Sequence, residues 1–394
     1  MKKAFDFCIE HLFCKKTNLF YDHLYDLSEE GATKFLPTIE SIHKQQPNPN
    51  GWSTCMEDSV LCGSMMLDVV LNMYKIAPSE NLRQIAKDIY NGLMLCACVS
   101  KEKGFIARSV SPIDKISHYS NSSRDQYTHF VYSMFNYSKS EICECKEREQ
   151  IALVFKQIAD RCERYCTKEN DYEFPREDGE KGLCFKMWGE IGFHEYLRLP
   201  MFYLATYKVT DEKKYKDLYL KYRDEAIEKS FCVDYENQHA AYPILQMQYS
   251  LKFISDNDCE AKERCASLMQ NASKSFATKA KEYFRELQKH KDTLCYKYNY
   301  WQDEPSVYIG KIGGIDYYNH NQDIYEQNKA YYILRNIADS VAIVALYENA
   351  DADLLEILQK SCDLIDFSNH YTNAPVYLLN AYFLSKQSKK HLQN

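Results

Sequence analysis

Two short stretches bring carboxyl groups to the start of long apolar helical patterns: Gly51-Trp52-Ser53-Thr54-Cys55-Met56-Glu57-Asp58 and Asn121-Ser122-Ser123-Arg124-Asp125-Gln126-Tyr127. Paired carboxyls of this kind suit general acid–base work, with one protonated to release a leaving group and the other ionised to activate water or attack carbon. Asp125 is therefore the first candidate catalytic residue, with Glu57 or Asp58 as its partner. Successive residues diverge by about 100° around a helix, so only one of Glu57 and Asp58 is expected to face a lumen. Thr54, and Ser122 or Ser123, are of the residue types that cap helices. Acids also complement helix N-termini without doing chemistry. Against that plain role, Asp125 continues into a polar stripe of His129, Tyr132 and Asn136, and Glu57 into Ser64, Asp68 and Asn72. A polar stripe on a buried helix implies a wet lumen or a fully bonded network.

Around these acids the loops carry aromatic and amide-bearing residues. The chain has 33 Tyr against 3 Trp, and Trp52, Tyr119, Trp188, Trp301, Tyr317 and Tyr371 fall between helical segments. With Gln126 and His129 they suit a sugar, whose C–H groups stack on rings while its hydroxyls find polar partners. Arg108 and Arg124 are candidates to hold a uronate carboxylate by paired hydrogen bonds. His194 and His239 open a rival chemistry, in which a base removes a proton beside a sugar carbonyl or uronate carboxyl. Each aromatic also has a plainer reading as packing for the loops, and each histidine as a hydrogen-bonded structural residue. Ile309 to Asp316 is glycine-rich but lacks the terminal Gly-Lys-Ser/Thr of a phosphate loop.

These residues need a scaffold, and helical periodicity dominates the sequence. Twelve segments are predicted as helices: 3–15, 55–76, 79–98, 123–139, 143–166, 192–208, 212–230, 239–256, 259–290, 325–348, 351–365 and 373–386. A short hairpin is expected over Tyr296 to Tyr308. Links after the even-numbered helices are very short, as at Ala77-Pro78 and Ser140-Glu141, whereas those after the first, third, fifth and ninth run to roughly 25 to 40 residues. Short links force antiparallel neighbours. One end of the molecule is then plain and the other is built of elaborate loops. The pattern predicts an all-α fold, an (α/α)6 toroid or six-hairpin barrel with long loops on one face, forming a single domain over 1–394. Even-numbered helices, apolar on most sides, form its inner ring, and odd-numbered ones, richer in Lys and Glu, its outer ring.

Composition excludes other classes. With 394 residues, 45% hydrophobic, 27% charged and only 12 Gly and 10 Pro, the chain is neither disordered nor a small disulfide scaffold. A formal charge of −7 without a basic block argues against a nucleic-acid partner. No apolar run approaches the roughly 20 residues of a membrane span, so no membrane partner is expected. The 16 cysteines lack zinc spacing and read as reduced core residues of a cytoplasmic protein. No metal or cofactor is expected, and oligomeric state is not readable.

The acids at Glu57-Asp58 and at Asp125, at the starts of the second and fourth helices, make the sequence resemble the six-hairpin glycosidase superfamily, most loosely its unsaturated glucuronyl and rhamnogalacturonyl hydrolase branch. That branch carries one aspartate near each of these helix starts. Its Asp-x-Gly pattern reads Asp58-Ser59-Val60 here. The resemblance implies a glycoside hydrolase acting on an oligosaccharide. In that branch one aspartate serves as both acid and base while water adds across a vinyl ether. A sugar epimerase or polysaccharide lyase, or a non-catalytic carbohydrate-binding protein, is the alternative.

Overall fold

Scarce glycine and proline leave little to interrupt i to i−4 hydrogen bonding, and the computed structural model is mostly helical, 62% helix against 4% strand. It describes residues 1–34, 36–182, 186–294, 307–312, 315–319, 328–348 and 350–387. Lys2–Phe7 (α1) runs into a π-helical turn, Cys8–Leu12, and a small antiparallel hairpin of Phe13–Cys14 (β1) and Leu19–Phe20 (β2). A short helix, Ile39–His43 (α2), follows. The long helices then begin: Ser59–Ile76 (α3), Glu80–Cys98 (α4), Arg124–Lys139 (α5), Cys145–Tyr165 (α6), Arg198–Thr210 (α7), Lys213–Ser230 (α8), Tyr242–Asn257 (α9) and Lys262–His290 (α10). After a second hairpin, Val307–Ile312 (β3) with Ile315–Asn319 (β4), come Lys329–Tyr347 (α11), Ala352–Asp363 (α12) and Ala374–Gln387 (α13).

Each predicted segment overlaps one of these helices, and the departures are local. The first segment is helical only to Leu12 and then turns into β1. The sixth begins at Arg198, because Phe193–Glu195 winds as a separate 3-10 turn. Of the hairpin expected over 296–308, residues 296–306 lie outside the described residues. Strand pairing is found further on, where the glycine-rich stretch contributes to both β3 and β4.

Termini follow capping chemistry. Ser79 accepts a hydrogen bond from the Leu82 N–H at 3.3 Å, and Asp351 accepts one from Leu354 at 2.8 Å. Glu144 and Glu147 form a reciprocal capping box at α6. Such caps satisfy N–H groups that the first turn leaves free.

Helices joined by short links pack as pairs: α3 with α4, α5 with α6, α7 with α8, α9 with α10 and α11 with α12. A second set of contacts joins α3 to α5, α5 to α7, α7 to α9, α9 to α11, α11 to α13 and α13 back to α3. Burial separates the two sets: 15 of the 18 residues of α3 are buried, but only 7 of the 21 in α6. Among the described residues α3 is the one helix long and apolar enough to cross a membrane, and 83% of it is buried inside the protein. The described cysteines are free thiols, eight of fourteen of them buried among core side chains.

Candidate active site

The segments leading into α3, α5 and α7, together with the first turn of α9 and the second of α11, converge on a cavity of about 380 Å³. Asn50, Trp52, Glu57, Asp58 and Leu61 line it from the α3 side. Arg108, Ser122, Ser123, Arg124 and Asp125 come from the approach to α5, and Glu195, Tyr242 and Arg335 complete the wall. Glu57, Asp58 and Asp125 thus share one cavity, with Trp52, Arg108 and Arg124 beside them.

The α3 side is organised by Asp22, a buried residue that sequence reasoning passed over. Its Oδ2 accepts hydrogen bonds from the backbone N–H groups of Glu57 and Asp58, at 2.9 and 3.1 Å. Thr54, the expected cap, instead donates its hydroxyl to the Gly51 carbonyl at 2.5 Å. Arg108 Nε donates to the Glu57 carbonyl at 2.6 Å and Nη2 to the Asp58 carboxylate at 3.1 Å. Gln126 donates to the same Asp58 oxygen at 2.8 Å and accepts from the Leu61 N–H. Asp58 is therefore held by two donors. The Glu57 carboxylate accepts a hydrogen bond from the Ser53 N–H at 3.2 Å. Burial, followed by the negative charge of Asp58, pushes the Glu57 carboxyl up to about 7, against the opposing pull of Arg108, the Ser53 N–H and Arg335.

Opposite conditions hold at α5. The Asp125 carboxylate accepts a hydrogen bond from Arg198 Nη1 at 2.9 Å. Arg198 is buried and also approaches Glu195 to 2.5 Å, while Arg124 lies 3.3 Å from Glu195 and His194 3.2 Å. Burial alone would raise the Glu195 carboxyl, but Arg198, with His194 and Arg124, holds it down to about 2. Neither Ser122 nor Ser123 caps α5. Both hydroxyls are buried, face the cavity and make no hydrogen bond.

Three arginines line the cavity, and their engagements differ. Arg108 is committed to the Glu57–Asp58 segment. Arg124 donates to the Lys186 carbonyl at 2.6 Å. Arg335 stacks over the rings of Tyr377 and Tyr242, 4.5 and 5.1 Å from their centroids, and approaches Asp339 only to 3.6 Å. Of the pair expected to clamp a carboxylate, Arg108 is bonded to Asp58 and Arg124 to the Lys186 carbonyl, and Arg335 lines the cavity beside them.

Tyr119, Gln126, His129, Trp188, His194, His239 and Tyr371 do not line this cavity. Tyr119 is buried and donates its hydroxyl to the Gln46 carbonyl at 2.6 Å, packing the loop before α3. Gln126 lies beneath the cavity as a support for Asp58. His129 sits one turn deeper on α5 against Tyr249, where burial, aided by Arg198 and Arg335, lowers it to about 3 and keeps the ring neutral. Trp188 packs edge-on to Tyr196 and Tyr222 and belongs to a separate cavity between α6 and α8. His194 supports Glu195 from behind. His239 is exposed, and its carbonyl accepts from Tyr283. Tyr371 is partly buried against the core, its carbonyl accepting from Leu24. Tyr317 stands on β4 opposite Gly310, and Trp301 lies outside the described residues. Asp22, Arg198, Arg335 and Tyr242 are the residues that the sequence did not single out.

No group of three or more His, Cys, Asp or Glu suited to a metal ion occurs among the described residues. Compared with known proteins, the chain matches no family model and no curated protein.

Proposed function

We propose that the protein is a glycoside hydrolase acting on an oligosaccharide, with Glu57 as general acid and Asp125 as the ionised partner. The carrying observation is that two carboxyls in one cavity have opposed surroundings: burial and Asp58 favour the protonated form of Glu57, whereas Arg198 is bonded to Asp125. Environments that push paired titratable groups apart are how acid and base roles are divided. As the glycosidic C–O bond breaks, its electron pair goes to the leaving oxygen, which takes the Glu57 proton. Asp125 then stabilises the positive charge growing on the sugar ring, or takes a proton from the incoming water. Trp52 and Tyr242 offer ring faces at the wall.

The closed series of contacts from α3 through α13, wrapped by more exposed partners, supports reading the helices as an (α/α)6 toroid with the cavity at the inner helices' N-terminal ends. Six-hairpin glycosidases are built this way, and the positions of Glu57-Asp58 and Asp125 agree with that resemblance. A uronate-bearing substrate is favoured by Arg335, with the unbonded Ser122 and Ser123 hydroxyls near enough to share the cavity. The histidine-based epimerase and lyase readings gain nothing from the cavity wall, because no histidine is among the described residues that line it.

The test is a screen of oligosaccharides, including unsaturated uronides, with Asp125→Asn as the control. Reducing-sugar release by the native chain that disappears in the variant is the expected result. Activity that survives in Asp125→Asn would reject this assignment.

A further inference from the structure

Asp22 has an unusual position among the carboxyl groups of the cavity. It is 2% exposed. Its Oδ2 carries both backbone N–H groups of the Glu57–Asp58 peptide, yet its Oδ1 is buried without any hydrogen-bond partner. Among the described residues no ion pair reaches it. The nearby cations face elsewhere, with Arg108 on Asp58 and Arg335 on α11 toward Asp339 and two tyrosine rings. The Cys55 and Cys62 thiols beside it are raised well above their ordinary value by burial and stay neutral.

We propose that Asp22 is a positioning residue that keeps a proton on Glu57: it fixes the Glu57–Asp58 backbone through Oδ2 and places a second cation-free carboxyl beside the acid. One buried and two partly buried carboxyls, sharing one direct arginine partner among the described residues, resist ionising together, because like charges in a poorly solvated site repel strongly. Asp58 is the one held by Arg108 and Gln126. Asp22 and Glu57 then share a single proton. In agreement, burial and the charges of Asp58 and Glu57 hold Asp22 well above the usual carboxylate range. The pair titrates as a unit, so its proton affinity belongs to both residues.

The role as catalytic tuner rests on the glycosidase reading, but the shared proton does not, and a titration without substrate separates the two. Infrared difference spectra of the protonated carboxyl stretch would be recorded against pH for the native chain and Glu57→Gln, and again for Asp22→Asn and the double variant. Each difference isolates Glu57 from Asp68 and Asp339, which also hold protons near neutrality. Asparagine keeps an acceptor for the two N–H groups and removes only the charge. The expected result is a Glu57 midpoint lower by about one pH unit or more when Asp22 is Asn. An unmoved midpoint, or a native Glu57 already ionised at pH 5, would overturn the proposal. If Asp22→Asn does not fold, the reciprocal measurement stands in its place. The Asp22 band in Glu57→Gln must then titrate at lower pH than in the native chain, and an unchanged Asp22 midpoint refutes the coupling. If the coupling is found while no oligosaccharide is cleaved, the glycosidase reading fails and the shared proton stands.

Discussion

Glu57 and Asp125 need opposite protonation states, and this dictates the shape of the pH profile. Turnover requires Glu57 protonated, so activity should fall as pH rises through about 7. Values of kcat/KM across the neutral range would check this limb. Removing either carboxyl, as in Glu57→Gln or Asp125→Asn, should lower kcat by about 10²- to 10⁴-fold. Arg198→Met has a different signature, because it strands two carboxylates at once. It should destabilise the fold by roughly 3–5 kcal/mol in urea denaturation. The residues found only in the structure share one property: nothing in their local spacing marks them. Asp22 lies 35 residues before Glu57, in a stretch without periodicity. Arg335 sits inside an apolar helical pattern, and Arg198 opens a helix that the apolar spacing starts six residues early. Residue type was a better guide than role. Tyr119 and Gln126 are both engaged as polar partners, but of backbone and of Asp58 rather than of a ligand.

At the scale of elements, helices were readable because each buries one continuous apolar face, and spacing at three and four residues reports that face directly. Their ends were less readable where the acceptors come from afar. The Glu57 and Asp58 N–H groups leading into α3 donate to Asp22, and those of Val60 and Leu61 in its first turn to the Arg108 carbonyl and the Gln126 side chain, not to a neighbouring Thr, and the serines before α5 are left facing the cavity. Local caps that do form can be tested singly. Asp351→Ala should cost about 1 kcal/mol in chemical denaturation by leaving the Leu354 N–H without its partner. Close packing gives a harsher case on α4. A Cβ at Gly92 would lie 2.0 Å from the Asn18 carbonyl oxygen, so Gly92→Ala should push the β1–β2 turn away and cost about 1–3 kcal/mol or more. A melting temperature equal to the native one would show that this turn yields freely.

For the whole molecule, buried carboxyls make stability depend on pH in two directions. Glu57, Asp68 and Asp339 are each raised by burial to about 7, above an unfolded value near 4. In that window the folded chain binds more protons than the unfolded one, so their contribution is fully present below about pH 4 and is lost as pH rises through about 7. Glu195, lowered to about 2, contributes above about pH 4.5 and loses that contribution as pH falls toward 2. Together these groups favour mild acidity. Melting temperatures should decline between pH 5 and 8, and the double substitution Asp68→Asn with Asp339→Asn should flatten that decline. An unchanged slope would mean that these two carboxyls are ionised in the folded protein.

The contact between α13 and α3 has a consequence for biosynthesis. Asn373 donates its side-chain amide to the Cys62 sulfur across 311 positions of chain, and α13 packs along an α3 that is apolar on nearly every side. At the usual ~5–20 residues per second of translation, α3 waits roughly 15 to 60 s for this neighbour to be made. Throughout that interval the ribosome carries an apolar surface that only the last part of the chain will cover. Such a nascent chain is a natural client for chaperones, and its yield in recombinant hosts should respond more to holdase supply and growth temperature than to the stability of the finished fold.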